Sequence, residues 1–219
     1  MSEAKEDMQL VFIHGWGMNS GIWQSTIKAL QSYECKSIDL GFVKGGETHA
    51  FDRTRPSIVI AHSLGTAWFL KNYKTETLGE LNLKALISVC GFTNFSSFTP
   101  EETLNKMKEG VLANPATQMA FFWRRAGCKN FTSPENLNPK KLHEGLEWLA
   151  NWQAAAEAKA LKCPKFILAS KADKIVPASA IEEQWQGEKI IWHHQAPHCL
   201  QLAEPEWVAE NILKQAQAL

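Results

Sequence analysis

The pentapeptide Ala61-His62-Ser63-Leu64-Gly65 follows a β-branched apolar run and precedes a segment of helical pattern. A serine at such a junction sits on a sharp turn with its hydroxyl exposed at the top of a sheet. Small residues two positions before and after it let the backbone make that turn. Gly is the commoner residue at the first of those positions, and Ala61 takes little more room. A serine hydroxyl is a weak nucleophile until a base accepts its proton, and the base needs a carboxylate to fix its tautomer. Two later loops offer both partners. Asp173 lies in Ser170-Lys171-Ala172-Asp173-Lys174-Ile175-Val176-Pro177, and His198 closes His193-His194-Gln195-Ala196-Pro197-His198; each loop follows a short apolar run. The order Ser63, Asp173, His198 is the one in which a strand-turn-helix nucleophile meets its acid and its base. The loop Gly91-Phe92-Thr93-Asn94-Phe95 has no carboxylate, which removes the usual competing seat for the acid.

An attacked ester carbonyl becomes an oxyanion that needs preorganised donors. The backbone N–H of Leu64, directly after the serine and at a helix start, is one candidate. The N–H of Trp16, in His14-Gly15-Trp16-Gly17, is the other, because the two glycines let that loop come close. The remaining histidines have plainer roles. His193 and His194 lie next to a strand and alternate across it as spectators. His62 is expected to point away from the base, and His14 to organise its own loop. Cys199, beside His198, reads as packing.

The elements that would carry these residues are short apolar runs, most followed by helical patterns. Strands are expected at 10–13, 37–40, 57–61, 83–90, 165–169 and 189–192, with helices over 22–30, after Ser63 to Tyr73, and after Pro205. Strand and helix in alternation imply an α/β fold with a mostly parallel sheet covered on both faces. One stretch breaks the alternation. Between Phe92 and Lys162 only helices are legible: one capped by Thr99 with Pro100 first, one over 116–126 stopped by Gly127, and one over 142–159. The expected organisation is a core of residues 1–95 and 160–219 with a helical cap of residues 96–159. A cap there would lie over the carboxyl ends of the strands, where such sheets bind ligands.

The totals narrow the function classes. The 219 residues suit one α/β domain, and 23 basic residues balance 23 acidic ones, which argues against a broad nucleic-acid or membrane-surface role. No apolar run approaches the ~20 residues of a membrane span. The first ten residues lack the apolar stretch of a secretory signal. Five scattered cysteines (Cys35, Cys90, Cys128, Cys163, Cys199) without CxxC spacing argue against a disulfide framework or a zinc site. A cytoplasmic monomer with no metal and no cofactor is the expectation.

The segment His14-Gly15-Trp16-Gly17-Met18-Asn19-Ser20-Gly21-Ile22-Trp23, the Ser63 turn, the Asp173 loop with Val176-Pro177, and Ala196-Pro197-His198 together resemble the α/β-hydrolase family. Within it the closest likeness is to the pimeloyl-[acyl-carrier protein] methyl ester carboxylesterases of biotin synthesis, to whose cap Gly145-Leu146-Glu147-Trp148-Leu149 is also similar. The resemblance runs from Leu10 onward and departs at Ala61, at a shortened N-terminus and at a compact region between Leu40 and Pro56. It implies Ser63, Asp173 and His198 as the triad, Trp16 and Leu64 as oxyanion donors, and a small-molecule or carrier-bound acyl ester as substrate. A general short-chain carboxylesterase, a menaquinone-pathway lyase on the same scaffold, and a non-catalytic binding protein are the competing expectations.

Charge bears on the carrier. From Lys106 to Lys141 seven basic residues (Lys106, Lys108, Arg124, Arg125, Lys129, Lys140, Lys141) face two acidic ones, Glu109 and Glu135. An acyl-carrier protein is acidic, so a basic lid would steer it. Phe121, Phe122 and Trp123 precede the arginine pair, so one helix is expected to offer apolar contact to the acyl chain and charge to its carrier, with Trp148 nearby. The plainer alternative is a solvated helix face.

Overall fold

A computed structural model describes residues 8–128 and 134–219. Six strands form one sheet: β1 (Gln9–Ile13), β2 (Glu34–Ile38), β3 (Ser57–His62), β4 (Leu83–Val89), β5 (Lys165–Ser170) and β6 (Lys189–His193). Their order is β2-β1-β3-β4-β5-β6, and every neighbouring pair is parallel. β1 and β3 are buried along their whole lengths. That is why they read as unbroken apolar runs, without the alternation of a half-solvated strand. Leu10, Val11, Phe12 and Ile13 are all fully buried, and each such side chain stabilises the fold by about 1.5–3 kcal/mol.

The crossovers carry α1 (Gln24–Lys28), behind a 3-10 turn at Ser20–Trp23, and α2 (Leu64–Asn72). Between β4 and β5 lie α3 (Glu101–Ala113), α4 (Pro115–Ala126), α5 (Pro139–Asn151) and α6 (Ala155–Ala160). The helix α7 (Ala178–Gln184) links β5 to β6, and α8 (Leu200–Ala203) and α9 (Pro205–Ala216) close the chain. The α/β expectation holds, with three local corrections. The second strand spans Glu34–Ile38 and ends before Asp39. Asp39 accepts the N–H groups of Ser20 and Gly41, and the Leu40 N–H goes to His14 Nε2, so the chain leaves the ladder there. Thr99 does not cap α3; Pro100 holds the N-cap position, with no side-chain capping bond. The single helix expected over 142–159 is two. The backbone is extended at Trp152, and the Ala154 N–H is drawn to the Thr93 carbonyl.

Asn-Pro pairs start α4 and α5. The Asn114 and Asn138 side chains accept from the N–H groups of Thr117 and Lys141, and Pro115 and Pro139 take first positions that need no donor. The apolar stripes of α4 (Met119, Phe122, Trp123, Ala126) and α5 (Leu142, Gly145, Leu146, Leu149) are buried. They meet the loop that leaves β1. The Trp123 indole N–H donates to the Gly17 carbonyl at 2.7 Å, and the Trp16 indole N–H donates to the Leu142 carbonyl at 2.8 Å. These helices therefore stand over the carboxyl ends of the strands.

Gly145 sets how close α5 can come. A Cβ at this position would lie 2.6 Å from the Trp16 ring and 2.7 Å from the Phe42 ring. Gly145→Ala is expected to overpack this contact and cost about 1–3 kcal/mol. Urea unfolding should show a lower midpoint at an unchanged slope.

Candidate active site

Three loops at the carboxyl ends of β1, β3, β5 and the segment after β6 converge. Ser63 follows β3 directly and has φ +53° and ψ −125°, a conformation that costs a non-glycine residue about 1–3 kcal/mol. The turn is held by the Ser63 N–H on the Val89 carbonyl at 3.0 Å. It also needs Gly65: a Cβ there would stand 2.6 Å from the His14 carbonyl oxygen and 2.9 Å from that of Ile13. A side chain at this position would push the start of α2 off the end of β1.

The His198 ring is fully buried and both of its nitrogens are engaged. Nδ1 is 2.7 Å from Asp173 Oδ2, and Nε2 is 3.0 Å from Ser63 Oγ. The carboxylate can only accept, so Nδ1 carries the hydrogen and Nε2 is left bare to receive the serine proton. Asp173 Oδ1 in turn accepts the N–H groups of Ile175 at 2.7 Å and Val176 at 2.9 Å. With its side chain only 2% exposed, the carboxylate is oriented from both oxygens. The loop that brings His198 in is anchored by Ser170 Oγ–H on the Ala196 carbonyl and by the Cys199 N–H on the Ala126 carbonyl.

Leu64 follows Ser63 directly and opens α2. Gly15, next to Trp16, is pressed on the serine; a Cβ at Gly15 would lie 2.9 Å from Ser63 Cβ. His14 organises this loop, donating from Nδ1 to the Gly15 carbonyl and accepting the Leu40 N–H at Nε2. A cavity of about 430 Å³ adjoins the site, lined among others by Phe95, Phe98, Phe121, Phe122, Arg125 and Lys174. Its wall is shared with the site: Phe122 meets the Trp16 ring edge-on at 4.7 Å, and Ile175 in the same lining bonds Asp173.

The expected binding residues do not all gather there. Phe121 is 54% exposed at the cavity mouth, with the Arg124 guanidinium 5.6 Å over its ring. Trp123 is buried on the Gly17 carbonyl. Trp148 lies apart, stacked on Trp152 at 4.9 Å beside a different groove with Asp39 and Glu144. The basic excess is also smaller than the window Lys106 to Lys141 implies. Lys106, Lys108 and Lys141 pair with Glu102, Glu147 and Glu144, acids outside that window. Across 96–159, eight basic residues meet seven acidic ones. Lys129 lies outside the described residues. Among the described residues of that window Arg124, Arg125 and Lys140 have no carboxylate partner, and the first two stand together at the end of α4.

Two other expectations are corrected. His62 does not point away from the base: its ring lies against that of His198, centroids 4.8 Å apart. Cys199 is not simple packing, since it is disulfide-bonded to Cys128 across 71 residues. Scattered spacing hid the pair because the two positions meet only when the end of α4 docks on the His198 loop. Cys90, counted in the sequence only among the scattered cysteines, proves to be part of the site. It follows β4 directly, and its Sγ, an Asp173 carboxylate oxygen and a His198 nitrogen all lie within 4.8 Å of one another. It borders the loop where a rival acid would sit, a signal that could have found it. His193 turns inward against Trp207, and His194 is exposed.

The alpha/beta hydrolase family model matches residues 10–211. The pimeloyl-[acyl-carrier protein] methyl ester esterase of Vibrio campbellii is 24% identical over 90% of this chain and 90% of its own. The enzyme of the same name from Proteus mirabilis is 23% identical, over 96% and 93% respectively. Among solved structures, a bromoperoxidase from Bacillus anthracis superposes with a TM-score of 0.78 at 15% identity, covering 96% of this chain and 92% of that one. An esterase from Exiguobacterium antarcticum gives 0.79 at 14% identity, covering 95% and 92%. These structures share the fold. No helix among the described residues is long and apolar enough to cross a membrane.

The cysteines carry a test. Burial and then the nearby Glu34 charge push the Cys35 thiol up to about 11. Burial, followed by the Asp173 carboxylate, raises Cys90 well above its ordinary value, and burial also raises Cys163. A raised thiol pKa keeps the unreactive protonated form, so near pH 8 only about one Cys35 in a thousand is thiolate. Iodoacetamide should therefore leave the native protein nearly unmodified at that pH, with Cys35 reacting as the pH approaches 11. Denatured without reductant, the chain should yield three titratable thiols (Cys35, Cys90, Cys163), and five after reduction.

Proposed function

The chain belongs to the alpha/beta hydrolase family, and from that premise we propose that it is a serine carboxylesterase acting through an acyl-enzyme. The observation that carries this is the buried line Asp173 Oδ2–His198 Nδ1 at 2.7 Å and His198 Nε2–Ser63 Oγ at 3.0 Å. Hydrolase or esterase activity is common to the relatives; the serine step is our reading of this geometry. Ser63 Oγ attacks the ester carbonyl as its proton passes to His198 Nε2, and the imidazolium is stabilised by the Asp173 carboxylate. The oxyanion would accept from the N–H groups of Trp16 and Leu64. His198 returns the proton to the departing alcohol, and the Ser63–acyl bond remains. Water, deprotonated by the same Nε2, then attacks that bond, the proton returns to Ser63, and the carboxylic acid is released.

For the substrate we propose the methyl ester of a carrier-bound dicarboxylic acyl chain, the class named in the Vibrio campbellii and Proteus mirabilis relatives. The aromatic cavity beside the site suits the acyl chain. Arg124 and Arg125, at the end of the same helix, suit an acidic carrier. In this proposal residues 96–159 act as a cap, with α4 presenting both features.

Three outcomes check the proposal. A fluorophosphonate should label Ser63 stoichiometrically, and a folded protein that takes no label would refute the serine mechanism. Asp173→Asn should lower kcat by about 10⁴ with a folded far-UV signature, since the amide favours the wrong imidazole tautomer. Arg124→Glu combined with Arg125→Glu should slow the carrier-bound methyl ester on the order of tenfold beyond any effect on a short-chain ester. Equal slowing of both substrates would remove the carrier from the proposal and leave the esterase.

A further inference from the structure

His62 is the residue of the turn whose side chain the chemistry above leaves unused. Its imidazole is fully buried, with Nε2 3.2 Å from the backbone carbonyl oxygen of His198. A carbonyl only accepts, so Nε2 carries the hydrogen and Nδ1 is a bare lone pair. Nδ1 is buried without a hydrogen-bond partner among the described residues. The backbone of Gly15 is pressed on it; a Cβ there would stand 2.8 Å from this nitrogen. One side of the ring packs on His198, inclined at 48°, and Trp23 meets it edge-on with centroids 6.4 Å apart. His62 thus touches the oxyanion loop and the base, and it is the chain neighbour of the nucleophile.

We propose that His62 is a positioning residue for the catalytic base, its Nε2–H···O=C bond to His198 fixing that backbone relative to Ser63. The inference rests on the esterase reading of Ser63. The Ser63–His198 hydrogen bond breaks and reforms in each half-reaction as the proton moves, so it cannot by itself hold the two groups in register. The His198 carbonyl also accepts the Leu200 N–H at 2.8 Å, but that bond lies within the base's own loop. Among the described residues, the bond from His62 is the one besides the Ser63 bond that crosses from the base to the element carrying the nucleophile, and it is unaltered by the proton transfer. Its neutrality matters too. Burial, with His198 beside it, holds His62 well below the ordinary imidazole value. No second cation then opposes the imidazolium formed on His198. The bare Nδ1 costs an unsatisfied acceptor, and it leaves room for the close approach of Gly15.

The test pairs His62→Phe, which keeps an aromatic ring and removes the donor, with His62→Gln, which restores a donor. Active sites are counted by fluorophosphonate titration, and kcat and KM are measured on p-nitrophenyl butyrate. His62→Phe should lose about 10–100-fold in kcat per titrated site with KM changed less than about twofold, the scale expected of a small misplacement. His62→Gln should recover most of that loss. In the wild type, ¹⁵N spectra should show His62 as the neutral Nε2–H tautomer at about pH 7, a readout that stands even where a variant does not fold. Wild-type kcat per titrated site in His62→Phe would overturn the proposal. So would a Gln variant no better than Phe, or an Nδ1–H or charged His62 at that pH. A wild-type protein that takes no label would instead overturn the esterase reading beneath it.

Discussion

The structure turns on a buried imidazole that must have both nitrogens satisfied. His198 is sealed from solvent, and its two partners come from positions 25 and 135 residues away in the chain. A polar group buried without partners costs on the order of 1–3 kcal/mol, so the ring can sit there only if the Ser63 turn and the Asp173 loop arrive together. A parallel sheet meets that demand, because it places the carboxyl ends of all its strands on one edge. β3 delivers Ser63, β5 delivers Asp173, and the chain after β6 delivers His198. The left-handed Ser63 backbone is tolerable because the fully buried β3 and the close-packed Gly65 leave it no alternative.

The helices between β4 and β5 are fastened to this edge rather than merely laid over it. Two indole N–H groups cross the boundary in opposite directions, Trp123 to Gly17 and Trp16 to Leu142. Gly145 lets α5 close on Trp16. In the same last turn of α4 and just beyond it, the Ala126 carbonyl and the Cys128–Cys199 disulfide hold the loop of His198. One helix, α4, therefore contacts both the candidate oxyanion loop and the candidate base loop while lining the aromatic cavity. Under the proposed function, α4 would link substrate contact to the geometry of the triad, a role for the insertion beyond shielding.

Charge is arranged differently from what a linear window suggests. Three lysines of the insertion, Lys106, Lys108 and Lys141, pair with glutamates one turn away or on a neighbouring helix, and such surface pairs contribute little stability. What persists is a compact positive end on α4, next to an exposed phenylalanine. Under the proposed function, a local cation cluster beside an apolar mouth would suit a ligand that is apolar at one end and anionic near the other. It does so without requiring a broadly basic protein.

By itself the sequence determined the local part. Unbroken apolar runs located β1 and β3, because a strand buried on both faces has no other way to satisfy its environment. β2, Glu34-Cys35-Lys36-Ser37-Ile38, is half-exposed and polar, so its apolar signal pointed about three residues too far along. The small-residue pattern around Ser63, and the loops bearing Asp173 and His198, were legible because turn chemistry and chain order are one-dimensional properties. Only the tertiary structure decided what meets across the chain. The direction of His62 depended on where the His198 carbonyl came to rest, and the Cys128–Cys199 pair on how α4 docked. Cys90 gained its neighbours from a loop some eighty residues later, and the neutralisation of the lysines came from acids outside the window. Trp148, grouped with the cavity residues on the likeness of Gly145–Leu149 to a family cap, faces another groove because α5 turns its buried stripe to Trp16. Each of these depends on distances between residues far apart in sequence, which spacing and composition do not encode.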